Sequence, residues 1–295
     1  MGEPPPQVER IVESALRCGV RRAERATNGR VADTYLLTLD GDPARAVCKL
    51  GGVSIRTGDV IEPLVVRLVT ETTAVPAPEL LATGRLRSSE GTRWALYEFR
   101  PGDPPTPFPA LDLPARRRVL TETGAMLGEL HATHQFERTG GLCRAGDSLT
   151  LCSPNGLNVP ERGRRLAALY REWEWQPVLG HGDLFPDNLL VDGDGSVTAF
   201  LDWGNAHVTT AGYSLARAQL RFIDWFRFDS AERDRLRAAL HRGYRQHRPL
   251  PPEYDALAPV YKLLWLGQSA DRHVRNALSA RGRRQIRRHV RSLLS

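Results

Sequence analysis

At 295 residues, 41% hydrophobic and 25% charged, the chain has room for two lobes with cores of their own and an ordinary globular balance. No run approaches the roughly 20 apolar residues of a membrane span. Met1-Gly2-Glu3-Pro4-Pro5-Pro6 carries no apolar signal core, and Pro6 breaks the myristoylation pattern, so no membrane partner is expected.

The first turn signal, Asn28-Gly29-Arg30-Val31, precedes two β-type runs, Thr34 to Leu39 and Ala46 to Leu50. Asp40-Gly41-Asp42-Pro43 joins them as a strong turn. Lys49 interrupts the second run. A lysine in an apolar strand is costly unless its charge is used or the strand face is exposed. Glu62 stands just before the apolar run Leu64-Val65-Val66-Arg67-Leu68-Val69. Because the residue before a proline avoids helical geometry, Pro63 is expected at the first helical position and Glu62 at the cap. Trp94 to Phe99 is strand-like, and the prolines of residues 100–109 forbid regular structure and mark the clearest boundary. A helix follows over about 115–135, with Leu120, Leu127, Leu130 and His134 on one face. Its His131 and His134 read as packing or surface residues rather than ligands. Arg162 to Glu174 is a further helical stretch, rich in aromatics towards its end. Cys18, Cys48, Cys143 and Cys152 lack paired metal spacing and read as free thiols in a reducing cytoplasm, where the protein is expected.

The stretch His181-Gly182-Asp183-Leu184-Phe185-Pro186-Asp187-Asn188-Leu189-Leu190-Val191 is the most informative. It sets an aspartate, four spacers and an asparagine before an apolar run. The turn Asp192-Gly193-Asp194-Gly195 and a second run, Val197 to Leu201, lead to Asp202-Trp203-Gly204. The two runs read as a β-hairpin, which brings its outer ends, Asn188 and Asp202, to one mouth beside Asp183. Phosphoryl transfer from ATP needs such groups: a carboxylate to accept a hydroxyl proton, and an amide oxygen and a second carboxylate to hold Mg²⁺ against the phosphates. Beyond Asp202 the chain is mostly helical, over about 215–226, 231–247, 259–278 and 281–294. Residues 281–295 hold six arginines and no acid, and without them 35 of the 41 basic residues face 34 acidic ones. The excess charge is thus one helix, whose stripe of Ile286, Val290, Leu293 and Leu294 can dock while arginines meet solvent.

The loop resembles that of the aminoglycoside phosphotransferase and choline kinase family, which carries His-Gly-Asp-x-x-x-x-Asn followed by a hydrophobic residue and Asp-Trp. The resemblance implies an α+β, protein-kinase-like two-lobe fold: a small β-rich, nucleotide-binding N-lobe over residues 1–100 and a larger helical C-lobe over residues 101–295 with the catalytic loop and substrate site. It implies ATP and Mg²⁺ as cofactors, Asp183 as catalytic base, Asn188 and Asp202 as metal ligands, and His181 as a brace. Lys49 would contact the ATP phosphates, anchored by Glu62, with Glu71 as the fallback. Backbone groups around Glu98, Phe99 and Arg100 would grip the adenine. Gly29 would lie in the phosphate-covering loop, although Asn28-Gly29 is no full glycine-rich motif and a hairpin turn explains it equally well.

Protein substrates are not expected, because Gly182 replaces the arginine of His-Arg-Asp and no Ala-Pro-Glu follows. The acceptor is expected to be a small hydroxylated molecule. Aminoglycosides would want acids such as Glu172, Glu174, Asp224 and Asp229 to converge; a quaternary ammonium would want a cage of Trp173, Trp175, Trp225 and Phe226, which could equally be core. The segment after Asp202, Ala211-Gly212-Tyr213-Ser214-Leu215, departs from the family's usual Gly-Asp-Pro and second aspartate. Two other classes stay open: an ATP-binding pseudokinase, and an RNA-associated protein acting through Arg281 to Arg291.

Overall fold

The computed structural model describes residues 4–26, 32–86, 91–153, 176–252 and 254–268, with residues 284, 288, 290 and 291. Strands β1 (Val20–Arg25), β2 (Ala32–Leu39), β3 (Arg45–Gly51), β4 (Leu80–Arg85) and β5 (Arg93–Glu98) form an antiparallel sheet in the order β1-β2-β3-β5-β4. Side chains alternate across it. Ala46, Cys48 and Leu50 of β3 are buried with Val8, Ile11 and Val12 of helix α1 (Pro6–Leu16). Val47 faces the main core instead, and Lys49, in step with it, meets helix α2 (Glu62–Thr72). The alternation that sends Cys48 into the α1 core therefore sends Lys49 into the cleft.

Glu62 is itself the first helical residue, with Ile61 before it accepting from Leu64 and Val65 N–H at 3.0 and 3.1 Å. The expected cap position is corrected by one residue. Pro63 lies in the first turn, where no N–H is required, and the buried pairing of Glu62 with Lys49 outweighs the pre-proline preference.

Past β5 the proline-rich connection is clipped to the later hairpin, β9 (Leu189–Val191) and β10 (Val197–Phe200). Asp103 and Val191 exchange backbone hydrogen bonds of 3.1 and 3.0 Å, and Thr198 Oγ1 donates to the Pro101 carbonyl at 3.0 Å. Helix α3 (Leu113–Thr133) starts at Asp112, whose side chain accepts from Ala115 N–H at 2.8 Å. It crosses helix α5 (Ser230–Tyr244) at glycines: a Cβ on Gly124 would lie 2.0 Å from the Leu240 carbonyl oxygen, and one on Gly243 1.8 Å from that of Thr121. As expected, His131 and His134 pack: buried His131 meets the Tyr244 hydroxyl at 2.9 Å, and His134 meets Thr72 at 3.0 Å.

The C-terminal part is mainly helical but contains a second sheet, β7 (Ser148–Ser153), β6 (Gly140–Ala145), β11 (His207–Thr210) and β8 (Pro177–Gly180), in that order. Helix α4 (Ala211–Gln219) follows β11 and continues as a π-helical turn over Leu220–Asp224; helix α6 (Tyr254–Gln268) packs on α4. The expected helix over Arg162 to Glu174 lies outside the described residues. Of the arginine-rich segment, residues 284, 288, 290 and 291 are helical, and Val290 packs on the main core, as docking by the apolar stripe requires. Among the described residues, no helix is long and apolar enough to cross a membrane.

One expectation is overturned here. Cys143 and Cys152 are disulfide-bonded across β6–β7, with their Cα atoms 5.7 Å apart, and only Cys18 and Cys48 are free. Strand pairing brings them together, which cysteine spacing alone does not reveal.

Candidate active site

Lys49 Nζ donates to both oxygens of Glu62, at 2.7 and 3.0 Å, and stands 3.6 Å from Asp202 Oδ1. Burial alone would lower the lysine pKa; Glu62 and Asp202 reverse that and hold it above its ordinary value. Burial likewise pushes the Glu62 carboxyl up, with Lys49 pulling against it. The two carboxylates differ in access: the Glu62 side chain is 8% exposed and that of Asp202 48%. Glu62 is therefore a brace, and Asp202 is open to a ligand. Glu71, at the far end of α2, is exposed and is not the anchor.

The catalytic-type loop leaves β8 through Gly182, whose φ is +83°. A Cβ there would sit 1.7 Å from the Asn205 carbonyl oxygen. Only glycine fits, so this backbone could not accept the arginine of His-Arg-Asp. His181 is buried against the Trp203 ring, with centroids 4.3 Å apart, and its Nδ1 accepts from Asp183 N–H at 3.3 Å. Burial pushes its pKa down to about 4, so it stays neutral and braces the loop. Asn188 Nδ2 donates to the Asp183 carbonyl at 2.8 Å, and the Asn188 carbonyl accepts from Leu201 N–H at 2.8 Å. The amide nitrogen is thus committed to the loop, and Oδ1 is not used by that bond. Asp202 has a left-handed backbone, φ +63°, a conformation that costs a non-glycine residue about 1–3 kcal/mol and recurs at functional sites.

On its other side, Asp183 Oδ1 accepts from Arg217 Nη2 at 3.2 Å. Arg217 lies on α4, and Arg221 follows one turn later. The Arg221 guanidinium stacks 4.2 Å from the Phe185 ring centroid and 5.8 and 5.6 Å from those of Trp225 and Trp265. Arg221 lines a cleft of about 660 Å³ with Phe185, Asp187, Asn188, Trp225 and Phe226. A third arginine comes from the loop between β3 and α2. Ile55 N–H donates to Asn205 Oδ1 at 3.1 Å and Thr57 Oγ1 to the Leu142 carbonyl at 3.0 Å, pinning Arg56 beside Tyr213, Arg217 and Asp183. Burial lowers the pKa of Arg56 and of Arg221 to about 10.

These arginines were not anticipated. A usable signal was present: Arg217 and Arg221 stand four apart in the run Leu215 to Ile223, where every other residue but Gln219 is apolar. Glu98 ends β5 and Phe99 follows it, at the connection between the two parts. The Glu98 carboxylate pairs with Arg100 at 3.2 Å, and Arg45 covers the Phe99 ring at 3.4 Å, so only their backbone groups suit a base-gripping role. Gly29, Glu172, Glu174, Trp173 and Trp175 lie outside the described residues. Asp224 pairs with Lys262 at 2.6 Å and Asp229 caps α5.

Among the described residues no three His, Cys, Asp or Glu side chains converge to hold a metal unaided. Asn188 and Asp202, just outside the two ends of the β9–β10 hairpin, offer an amide oxygen and a carboxylate, the donor types that suit Mg²⁺ when phosphates supply the rest.

Comparisons with known proteins agree with this geometry. The family model described as APH, phosphotransferase enzyme family, matches residues 23–260. Among curated proteins, none matches the chain. Several solved structures share its fold. A thermostable form of the aminoglycoside phosphotransferase APH(4)-Ia, in ternary complex with AMP-PNP and hygromycin B, is 18% identical with a TM-score of 0.62, covering 98% of this chain and 99% of that one. A protein provisionally assigned as fructosamine-3-kinase from Thermobifida fusca is 17% identical, TM-score 0.63, covering 99% of each chain. A GDP complex of aminoglycoside 2′-phosphotransferase-IIIa is 15% identical, TM-score 0.60, covering 97% and 95%.

Proposed function

The chain belongs to the phosphotransferase enzyme family and is a small-molecule kinase, and we propose that it moves the γ-phosphate of ATP to a hydroxyl of a small metabolite-sized acceptor. The observation that carries this is the convergence of Lys49, Glu62 and Asp202, 2.7 and 3.6 Å apart in successive contacts, at the mouth that also holds Asp183 and Asn188.

Asp183 is the base. As the acceptor oxygen bonds to the γ-phosphorus, its O–H bond breaks and the proton goes to the Asp183 carboxylate. The bond from the γ-phosphorus to its bridging oxygen breaks, and ADP leaves with that electron pair. Arg217 fixes the carboxylate orientation through its 3.2 Å contact. Lys49 holds phosphate oxygens in place, itself positioned by Glu62. Asn188 and Asp202 would hold Mg²⁺, which when bound neutralises charge on the phosphates. Backbone groups at Glu98 and Phe99 receive the adenine, at a lobe boundary near residue 100, and Gly29 belongs to the loop over the phosphates. The intact set of Lys49, Asp183, Asn188 and Asp202 disfavours a pseudokinase.

The test is acceptor-dependent ADP release with Mg²⁺ across sugars, sugar acids, sugar phosphates, amino sugars, aminoglycosides and choline-like amines. Turnover that requires ATP, Mg²⁺ and one acceptor class is expected. No acceptor-dependent release with any class would overturn the proposal.

A further inference from the structure

We infer that the acceptor carries an anionic group, a carboxylate or a phosphate, beside its reacting hydroxyl, and that Arg221 recognises it. This rests on the phosphotransferase reading above and names its substrate class.

Charge around the base is the first argument. Three guanidiniums, from Arg56, Arg217 and Arg221, gather at Asp183. Asp183 is the carboxylate they share, and the exposed Asp187 also acts on Arg221. Arg217 is paired with the base. Arg221 opens into the cleft beside Asn188.

The aromatic rings are the second argument. Phe185 and Trp225 could have caged a substrate ammonium. The protein's own Arg221 guanidinium lies on both. An incoming cation would meet a like charge where it needs a π face, whereas a carboxylate or phosphate would meet a planar fork of N–H donors held flat by its stacking. Arg56, on a loop pinned to Asn205 and Leu142, adds positive charge near the base. Of the acids that a polycation would need, the two among the described residues are engaged, Asp224 with Lys262 and one oxygen of Asp229 with its helix.

The experiment compares kcat/KM on matched scaffolds: glucuronate and glucose 6-phosphate, neutral glucose, and cationic glucosamine and kanamycin, widened within each class as needed. At least a tenfold preference for an anionic acceptor over its neutral parent is expected, and the ranking of carboxylate against phosphate separates the two anions. Arg221→Gln should lower the anionic-to-neutral ratio tenfold or more, and Arg221→Lys, which keeps the charge but not the planar fork, should lower it less than Arg221→Gln does. General damage to the fold would move both acceptors together and leave the ratio alone. Best turnover with a neutral or cationic acceptor, or an unchanged ratio in Arg221→Gln, would overturn the inference and leave the phosphotransferase intact. Silence across all three classes would overturn the phosphotransferase reading itself.

Discussion

Lys49 was legible because it broke a pattern: one charge in an apolar strand, where alternation leaves it facing the cleft. Asp183, Asn188 and Asp202 were legible through spacing, since a hairpin returns its ends to one place. Arg56, Arg217 and Arg221 were not, because what makes them a group is the docking of a loop and a helix from distant sequence. The Lys49–Glu62 contact allows a sharp test. Lys49→Met should reduce kcat/KM for ATP by roughly 10²-fold, the scale of losing one preorganised donor to a charged oxygen. Glu62→Gln should give a weaker loss of the same kind, on the order of tenfold. Glu62 acts through the lysine, so the double variant should cost less than the product of the two. Full multiplicativity in a double-mutant cycle would reduce Glu62 to a helix-end residue.

Elements with strong local punctuation were readable. The β9–β10 hairpin is announced by Asp192-Gly193-Asp194-Gly195, and α3 by its apolar period. The edge strand β1, Val-Arg-Arg-Ala-Glu-Arg, has too few apolar residues to signal itself; its charges suit an unpaired edge. β8 and β11 are four residues each and become strands only within the sheet they join, where β11 lies between β6 and β8. The β6–β7 ladder likewise creates the Cys143–Cys152 bond, nine residues apart in sequence. Titration of the unfolded, unreduced protein should find two thiols, and reduction should lower unfolding stability by about 2–3 kcal/mol, the loop-closure value for so short a loop. Four thiols would show that the bond does not form.

At the scale of the whole molecule, the sequence order of β-rich and helical segments was enough for the two-part architecture, but not for how the parts are tied. Arg100 Nη2 reaches the Thr198 carbonyl at 3.1 Å, Asp103 pairs with Val191, and Ile55 bonds to Asn205. These ties run between the N-terminal sheet, its connection and the hairpin, and they hold Lys49 and Asp202 on opposite walls of one cleft. Their partners are too far apart in sequence for any local pattern to reveal. Since each wall supplies part of the chemistry, loss of the base should spare nucleotide binding and abolish transfer. The direct measurement is single-turnover phosphoryl transfer to the best acceptor by Asp183→Asn, with nucleotide affinity measured on the same sample. Transfer should fall by about 10²–10⁴-fold, the range for losing a general base, with ATP affinity within a few-fold of the parent. Transfer within a few-fold of the parent would contradict the assignment of Asp183 and the account built on it.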